Sequence, residues 1–66
     1  MLLTPRESQI TGLVAQGASN KRIAEQLSIS EHTVKAHLTT IFRKIAVSNR
    51  LELALHIKAS TQDLKI

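Results

Sequence analysis

The most constraining feature of this sequence is a narrow apolar stripe in the middle of the chain. Val34, Leu38, Ile41 and Ile45 recur at steps of four, three and four residues. This spacing is typical of an α-helix that buries one side and exposes the other. It predicts a helix over about residues 31–45, and the rest of the chain has to pack against the buried side of that helix.

Capping residues mark the starts of four helices. Thr4 can cap a first helix, Pro5 can take its first position, and Glu7 completes a capping box. Gly17 is expected to end this helix in the left-handed conformation. The later helices are expected to begin at Ser19 or Asn20, at Ser30, and at Ser48 or Asn49. A short second helix, a brief turn and a longer third helix form a helix-turn-helix arrangement.

The length and composition favour one small domain built from helices. Sixty-six residues leave no room for a second core. We therefore predict an all-α fold over residues 1–66: a four-helix bundle with a tri-helical helix-turn-helix core and a fourth helix. The core should span about residues 3–59, with Leu2 and Leu3 covering it, and residues 60–66 should fray. Leu64 and Ile66 are too few to define an element.

The charge balance points to a polyanionic partner. Nine Lys and Arg against five Asp and Glu give a net charge of +4. No apolar run approaches the roughly 18 residues of a membrane span, and the first residues do not resemble a signal peptide. We therefore expect a cytoplasmic protein that does not enter a membrane.

Nothing in the sequence calls for a metal, a cofactor or catalysis. There is no Cys, and His32 and His37 are five residues apart, which is a poor spacing for two metal ligands on one helix. The acidic residues are scattered, there is no glycine-rich phosphate loop, and no nucleophile lies beside an evident base. We expect no cofactor, and an enzyme is the least favoured class.

The outward face of the third helix is the candidate DNA-binding site. At about 100° per residue it is polar yet nearly free of acids, which suits contact with the floor of a DNA groove. Its residues are His32, Lys35, Ala36, Thr39, Thr40 and Arg43.

The candidate contacts differ in the chemistry that they offer. Lys35 can reach a guanine edge or a phosphate, and Arg43 is expected to grip a phosphate. Thr33, Ala36, Thr39 and Thr40 are short and can touch thymine methyls or phosphates. Four further positions are candidates, and three of them have two open roles. Asn20 and Lys21 can bind a phosphate at the start of the second helix, although capping is the main role expected of Asn20; His37 can pack or bind a phosphate; Lys44 can bind a phosphate or favour the helix C-terminus.

The fourth helix carries more apolar residues than one buried stripe needs. If Leu53, Ala54 and Ile57 pack inward, Leu51 and Leu55 form a separate apolar strip. This strip predicts a partner surface. Two other conspicuous residues, Glu7 and Arg50, are expected to pair across the bundle in a structural role.

Several motifs occur together in one order and at matching spacing. They are Leu3-Thr4-Pro5-Arg6-Glu7, Gly17, Ser19-Asn20-Lys21, Ile23-Ala24, Leu27, Ser30, Thr33-Val34-Lys35, His37, Lys44 and Asn49-Arg50. In this set, over about residues 3–59, the chain resembles the LuxR/FixJ-type helix-turn-helix domain. The resemblance implies a four-helix DNA-binding domain, usually the C-terminal effector of a bacterial response regulator or quorum-sensing regulator. It also implies a homodimer through the fourth helix on two half-sites.

The resemblance also implies further partners and a location. Candidate partners are double-stranded DNA, RNA polymerase, and a receiver or ligand-binding domain N-terminal to this one; the location implied is the cytoplasm, at the nucleoid. Two positions depart from the family pattern. Ala46 replaces a common Gly, so we expect the third helix to end differently. Thr39 replaces a longer polar or charged residue, so the family's base preference does not transfer.

Two other non-enzymatic functions stay open at this point. A sigma-factor region 4 has the same tri-helical core, but it would lack the Ser48-Asn49-Arg50 cap and a fourth helix with a spare apolar strip. A helical protein-interaction module without DNA binding is the other alternative. Such a module gives no reason for an acid-poor face on the third helix.

Overall fold

Four α-helices form the fold in a computed structural model, which describes the backbone of residues 3–63 and the side chains of residues 3–59. They are α1 (Pro5–Ala15), α2 (Asn20–Leu27), α3 (Glu31–Ile45) and α4 (Arg50–Asp63). The described residues contain no strand, which confirms the all-α prediction. No helix within them is both long and apolar enough to cross a membrane.

The first helix begins and ends at the predicted residues. The backbone N–H of Glu7 donates to Thr4 Oγ1 at 3.2 Å, and the backbone N–H of Thr4 donates to Glu7 Oε1 at 2.9 Å. These two bonds form the capping box and satisfy two backbone donors that have no partner within the helix. Gly17 has a φ of +91°, the left-handed conformation expected after the helix.

Serine side chains cap the starts of both helices of the helix-turn-helix, α2 and α3. Ser19 Oγ accepts from the backbone N–H of Arg22 at 3.1 Å, so Ser19 and not Asn20 caps α2. Ser30 Oγ accepts from the backbone N–H of Thr33 at 3.0 Å and caps α3, as predicted. In the turn between the two helices the side chain of Ile29 packs against the core. These contacts fix the helix-turn-helix geometry.

The end of α3 corrects one prediction. Ala46 was expected to give a different ending from glycine, yet it has a φ of +63° and ends the helix in the left-handed conformation. For a residue with a Cβ this conformation costs about 1–2 kcal/mol. Val47 explains why it is adopted: its backbone N–H bonds to Phe42 O at 3.0 Å, and its side chain packs against the core. That hydrophobic contact after the helix offsets the strain.

The core lies where α1 packs on α3 and α4, and where α2 packs on α3. The predicted stripe of α3 points into it: Val34, Leu38 and Ile41 are buried, and Ile45 is half-buried at its edge. Leu3 also packs against the core, whereas Leu2 lies outside the described residues. The buried apolar residues are Ile10, Val14, Ile23, Ala24, Val34, Leu38, Ile41 and Leu53.

The fourth helix begins as expected. Asn49 Oδ1 accepts from the backbone N–H of Glu52 at 2.9 Å, and Glu52 Oε1 accepts from the backbone N–H of Ser48 at 2.6 Å. The backbone is helical to Asp63, and the fraying expected from Ser60 onward stays a prediction. Leu64 and Ile66 lie outside the described residues.

Candidate DNA-binding face

The side of α3 opposite the core forms an exposed face, which we call the recognition face. Five of its six residues are exposed and Thr40 is half-buried, whereas Val34, Leu38 and Ile41 on the other side are buried. No Asp or Glu occurs in the sequence between Glu31 and Glu52. After its first residue, Glu31, the helix that contributes the centre of the core therefore presents no acid to solvent. The recognition face consists of His32, Lys35, Ala36, Thr39, Thr40 and Arg43.

The cations on this side of the molecule are available to a ligand. Lys35 and Arg43 on α3 and Lys21 in the first turn of α2 are exposed. Among the side chains of residues 3–59, the one ion pair joins Lys44 to Glu7. Lys35, Arg43 and Lys21 thus form no ion pair with a side chain in this part of the protein.

The threonines of α3 have hydroxyl groups that are already hydrogen-bonded. Thr39 Oγ1 donates to Lys35 O at 3.1 Å, and Thr40 Oγ1 donates to Ala36 O at 3.4 Å. Thr33, which is half-buried, has its Oγ1 2.9 Å from Ser30 Oγ at the helix start. Because these bonds engage the hydroxyl groups, the methyl group is the part of each threonine side chain that has no partner in a hydrogen bond.

An open groove runs between the recognition face and the start of α4, and it brings three candidate residues together. Asn20, Lys35 and Thr39 line it. Lys21, Thr33, Ala36, His37, Thr40 and Arg43 are not among its lining residues; His37 is half-buried. The remaining lining residues are Leu38, Phe42, Ser48, Asn49 and Arg50.

Arg50 holds this groove in shape. Its contacts correct two predictions, one about Arg50 and one about Asn20. Its Nη1 donates to Asn20 Oδ1 at 2.6 Å, and its Nη2 donates to Ala18 O. Arg50 therefore does not pair with Glu7, and the Asn20 side chain is bonded to Arg50 while Ser19 supplies the cap of α2. Because Asn20 accepts through its oxygen, its amide N–H groups remain as donors. The sequence offered no local signal for a contact between residues 30 positions apart.

A second long-range pair ties α1 to the end of α3. Lys44 Nζ lies 2.8 Å from Glu7 Oε1, and the two side chains are 17% and 6% exposed. The hydrogen bond from Lys44, helped by the backbone N–H of Thr4, holds the pKa of the Glu7 carboxyl below its ordinary value of 4.5. Lys44 thus joins α1 to the last turn of α3, where a cation is also favoured by the helix C-terminus.

We expect acid to weaken the fold through Glu7. A lowered folded pKa means that the stabilisation is complete above the ordinary value of 4.5 and is lost as the pH falls through the folded pKa. The melting temperature should therefore fall below about pH 5. Glu7→Gln should melt lower than the wild type at pH 7 and lose less on acidification. Glu25→Gln, at an exposed acid on α2, is the control; the same pH profile for both variants would contradict the assignment.

Two leucines of α4 are exposed as the sequence predicted. Leu51 is 68% exposed and Leu55 is 58% exposed, whereas Leu53 is fully buried. Ala54 and Ile57 pack against the core. The described residues contain no group of three or more His, Cys, Asp or Glu that could hold a metal ion.

Comparison with known proteins agrees with this arrangement of helices. The family model for bacterial regulatory proteins of the luxR family, GerE, matches residues 1–57. The chain belongs to this family. The luxR family consists of transcription regulators that bind DNA through a helix-turn-helix domain, so the match favours this function over the sigma-factor and protein-interaction alternatives.

Individual relatives support the same assignment. The chain is 58% identical over 52 residues, 79% of its length, to the monoamine regulon transcriptional regulator of Klebsiella aerogenes. It is 46% identical over 55 residues (83%) to the nitrate/nitrite response regulator protein NarL of Escherichia coli K12. It is 46% identical over 54 residues (82%) to the transcriptional regulatory protein LiaR of Bacillus subtilis 168. It covers 23%, 26% and 26% of these relatives, about a quarter of each.

Proposed function

We propose that this domain binds double-stranded DNA sequence-specifically, with α3 in the major groove. The observation that carries the proposal is the recognition face, which is exposed, cationic and free of acids over the whole interval between Glu31 and Glu52. An α-helix fits the major groove of B-DNA, and its exposed side chains can then reach the base edges.

The proposed contacts divide by chemistry. Lys35 reads a base edge, since it is exposed and carries the longest donor near the start of α3. Arg43, Lys21 and the amide of Asn20 bind phosphates and fix the register of α3. The remaining residues let the helix approach closely or line its edges: Thr33, Ala36, His37, Thr39 and Thr40.

We further propose that two copies bind two half-sites and meet through α4. Leu51 and Leu55 form an exposed apolar strip that a second copy can cover with its own strip, because a two-fold contact is self-complementary. Burying so few leucines offsets little more than the entropy of association. The dimer is therefore weak in solution and is assisted by DNA.

The role of the whole protein is also a proposal. Relatives of this chain are named transcriptional regulators and response regulators and are about three times its length. We infer that the domain acts as the effector of a regulator that carries a receiver or ligand-binding domain, works at the nucleoid in the cytoplasm and influences RNA polymerase.

The dependence of DNA affinity on salt tests the central proposal. Lys35, Arg43, Lys21 and a few neighbours should neutralise about four to six phosphates per protomer, and the logarithm of the affinity should fall with the logarithm of the salt concentration at roughly −0.9 per contact. The measurement is fluorescence anisotropy on a duplex selected from a random DNA pool. A nearly flat salt dependence would refute phosphate binding by this face.

A further inference from the structure

Thr39 is exposed on the recognition face one turn after Lys35, and its hydroxyl hydrogen is already used. Thr39 Oγ1 donates to Lys35 O at 3.1 Å. A hydroxyl has one hydrogen to donate, so a new donation to a base would require this bond to break. What the side chain offers without any rearrangement is the Cγ2 methyl and the lone pairs of an oxygen that lies against the helix backbone.

The neighbours of Thr39 strengthen this apolar character. Thr40 has the same hydroxyl arrangement with Ala36 O, at 3.4 Å, and Ala36 itself is exposed and ends in a methyl. Along this part of α3 the long donor Lys35 is thus followed by a patch of methyl groups. In the major groove the one apolar group that the base edges present is the C5-methyl of thymine.

We propose that Thr39 contacts the C5-methyl of a thymine through its own Cγ2 methyl, while its hydroxyl stays bonded to the helix. This inference rests on the proposed function and names one determinant of sequence preference. Thr39 carries it rather than Thr40 because Thr39 is exposed and lines the groove beside Lys35, whereas Thr40 is half-buried. The preferred half-site then has a thymine close to the base pair that Lys35 contacts.

A matched pair of variants separates the methyl of Thr39 from its hydroxyl. Thr39→Val keeps the branched shape and the methyl and removes the hydroxyl; Thr39→Ser keeps the hydroxyl and removes the methyl. Each variant and the wild type are titrated with the selected half-site and with duplexes in which one thymine at a time is replaced by uracil. Uracil lacks only the C5-methyl, so the ratio of the two affinities measures how strongly that methyl is read.

The expected result is a single thymine whose replacement lowers the wild-type affinity about threefold to tenfold, the effect of removing about one buried methyl group. Thr39→Val should show a similar ratio at that thymine, and Thr39→Ser should show a ratio close to one. Circular dichroism of both variants checks that α3 is retained.

Two outcomes would overturn the inference while leaving the proposed function standing. One is salt-dependent binding in which no thymine is sensitive to uracil. The other is discrimination that survives in Thr39→Ser and disappears in Thr39→Val, which would assign the reading to the hydroxyl. Salt-independent binding, in contrast, would overturn the proposed function and this inference together.

Discussion

Lys35→Ala is expected to weaken binding to the selected half-site by about 1 to 3 kcal/mol, and binding to random DNA by clearly less. Lys35 is exposed and is not held by a carboxylate. It lines the same groove as Asn20, whose amide we assign to a phosphate. A lysine in this position can donate to guanine O6 and N7, and that contribution exists only where the sequence supplies the base. Anisotropy titrations on the selected and on a scrambled half-site measure the two losses.

Lys58→Ala is the matched control for this measurement. It removes the same charge from an exposed position on α4. A single half-site binds one protomer, so a contact between protomers through α4 does not affect this measurement. A small loss that is equal on both duplexes is expected for the control. Equal losses for Lys35→Ala on the two duplexes would reassign Lys35 from a base contact to a phosphate contact.

The sequence was sufficient where local chemistry decides the structure. Helix starts depend on a cap and on the residues within one turn of it, so Thr4 and Ser30 could be read directly from their neighbours, and the cap of α4 was narrowed to Ser48 or Asn49. The stripe of α3 was equally readable, because a helical period fixes which side of the helix is buried. The recognition face followed from the same period.

The polar contacts between distant helices could not be read in this way. Glu7 and Arg50 were expected to pair with each other, but Glu7 bonds to Lys44, 37 residues away, and Arg50 bonds to Asn20, 30 residues away. Which cation reaches which acceptor depends on how the helices cross, and that is set by the packing of the whole core. Both contacts lie beside α3 and help to orient it. The pattern of apolar and polar residues along α3 does not predict either of them.

The end of α3 shows how packing overrides a local preference. Glycine is favoured at a left-handed position because it has no Cβ, and Ala46 therefore indicated a different ending. The backbone bond from Val47 to Phe42 and the packing of the Val47 side chain hold Ala46 in that conformation. The cost of the left-handed conformation arises at Ala46 alone and can be read from the sequence. The compensating contact of Val47 depends on the packing of the whole core, which the sequence pattern only partly defines.

Leu51→Glu combined with Leu55→Glu is expected to abolish cooperative binding to a full site while leaving the fold and half-site binding intact. The two side chains are 68% and 58% exposed, so glutamate is tolerated in the monomer, but two copies of this strip would bring four like charges together. On DNA, two half-sites about one helical turn apart hold the protomers at high effective concentration, where even a weak contact can raise affinity by about 10²–10⁴. Comparing titrations on full and half-sites measures that gain.

His56→Glu is the control for the double variant, because His56 is exposed on α4 about 100° around the helix from Leu55. It should retain cooperative binding, and the free wild-type domain should sediment mainly as a monomer. Unfolding of the double variant would mean that these leucines stabilise the core, and α4 would have to be rotated about its axis. Cooperative binding by the double variant would place the contact between protomers elsewhere. Loss of cooperativity with an unchanged melting temperature and unchanged half-site affinity is the one result that assigns the contact to this strip.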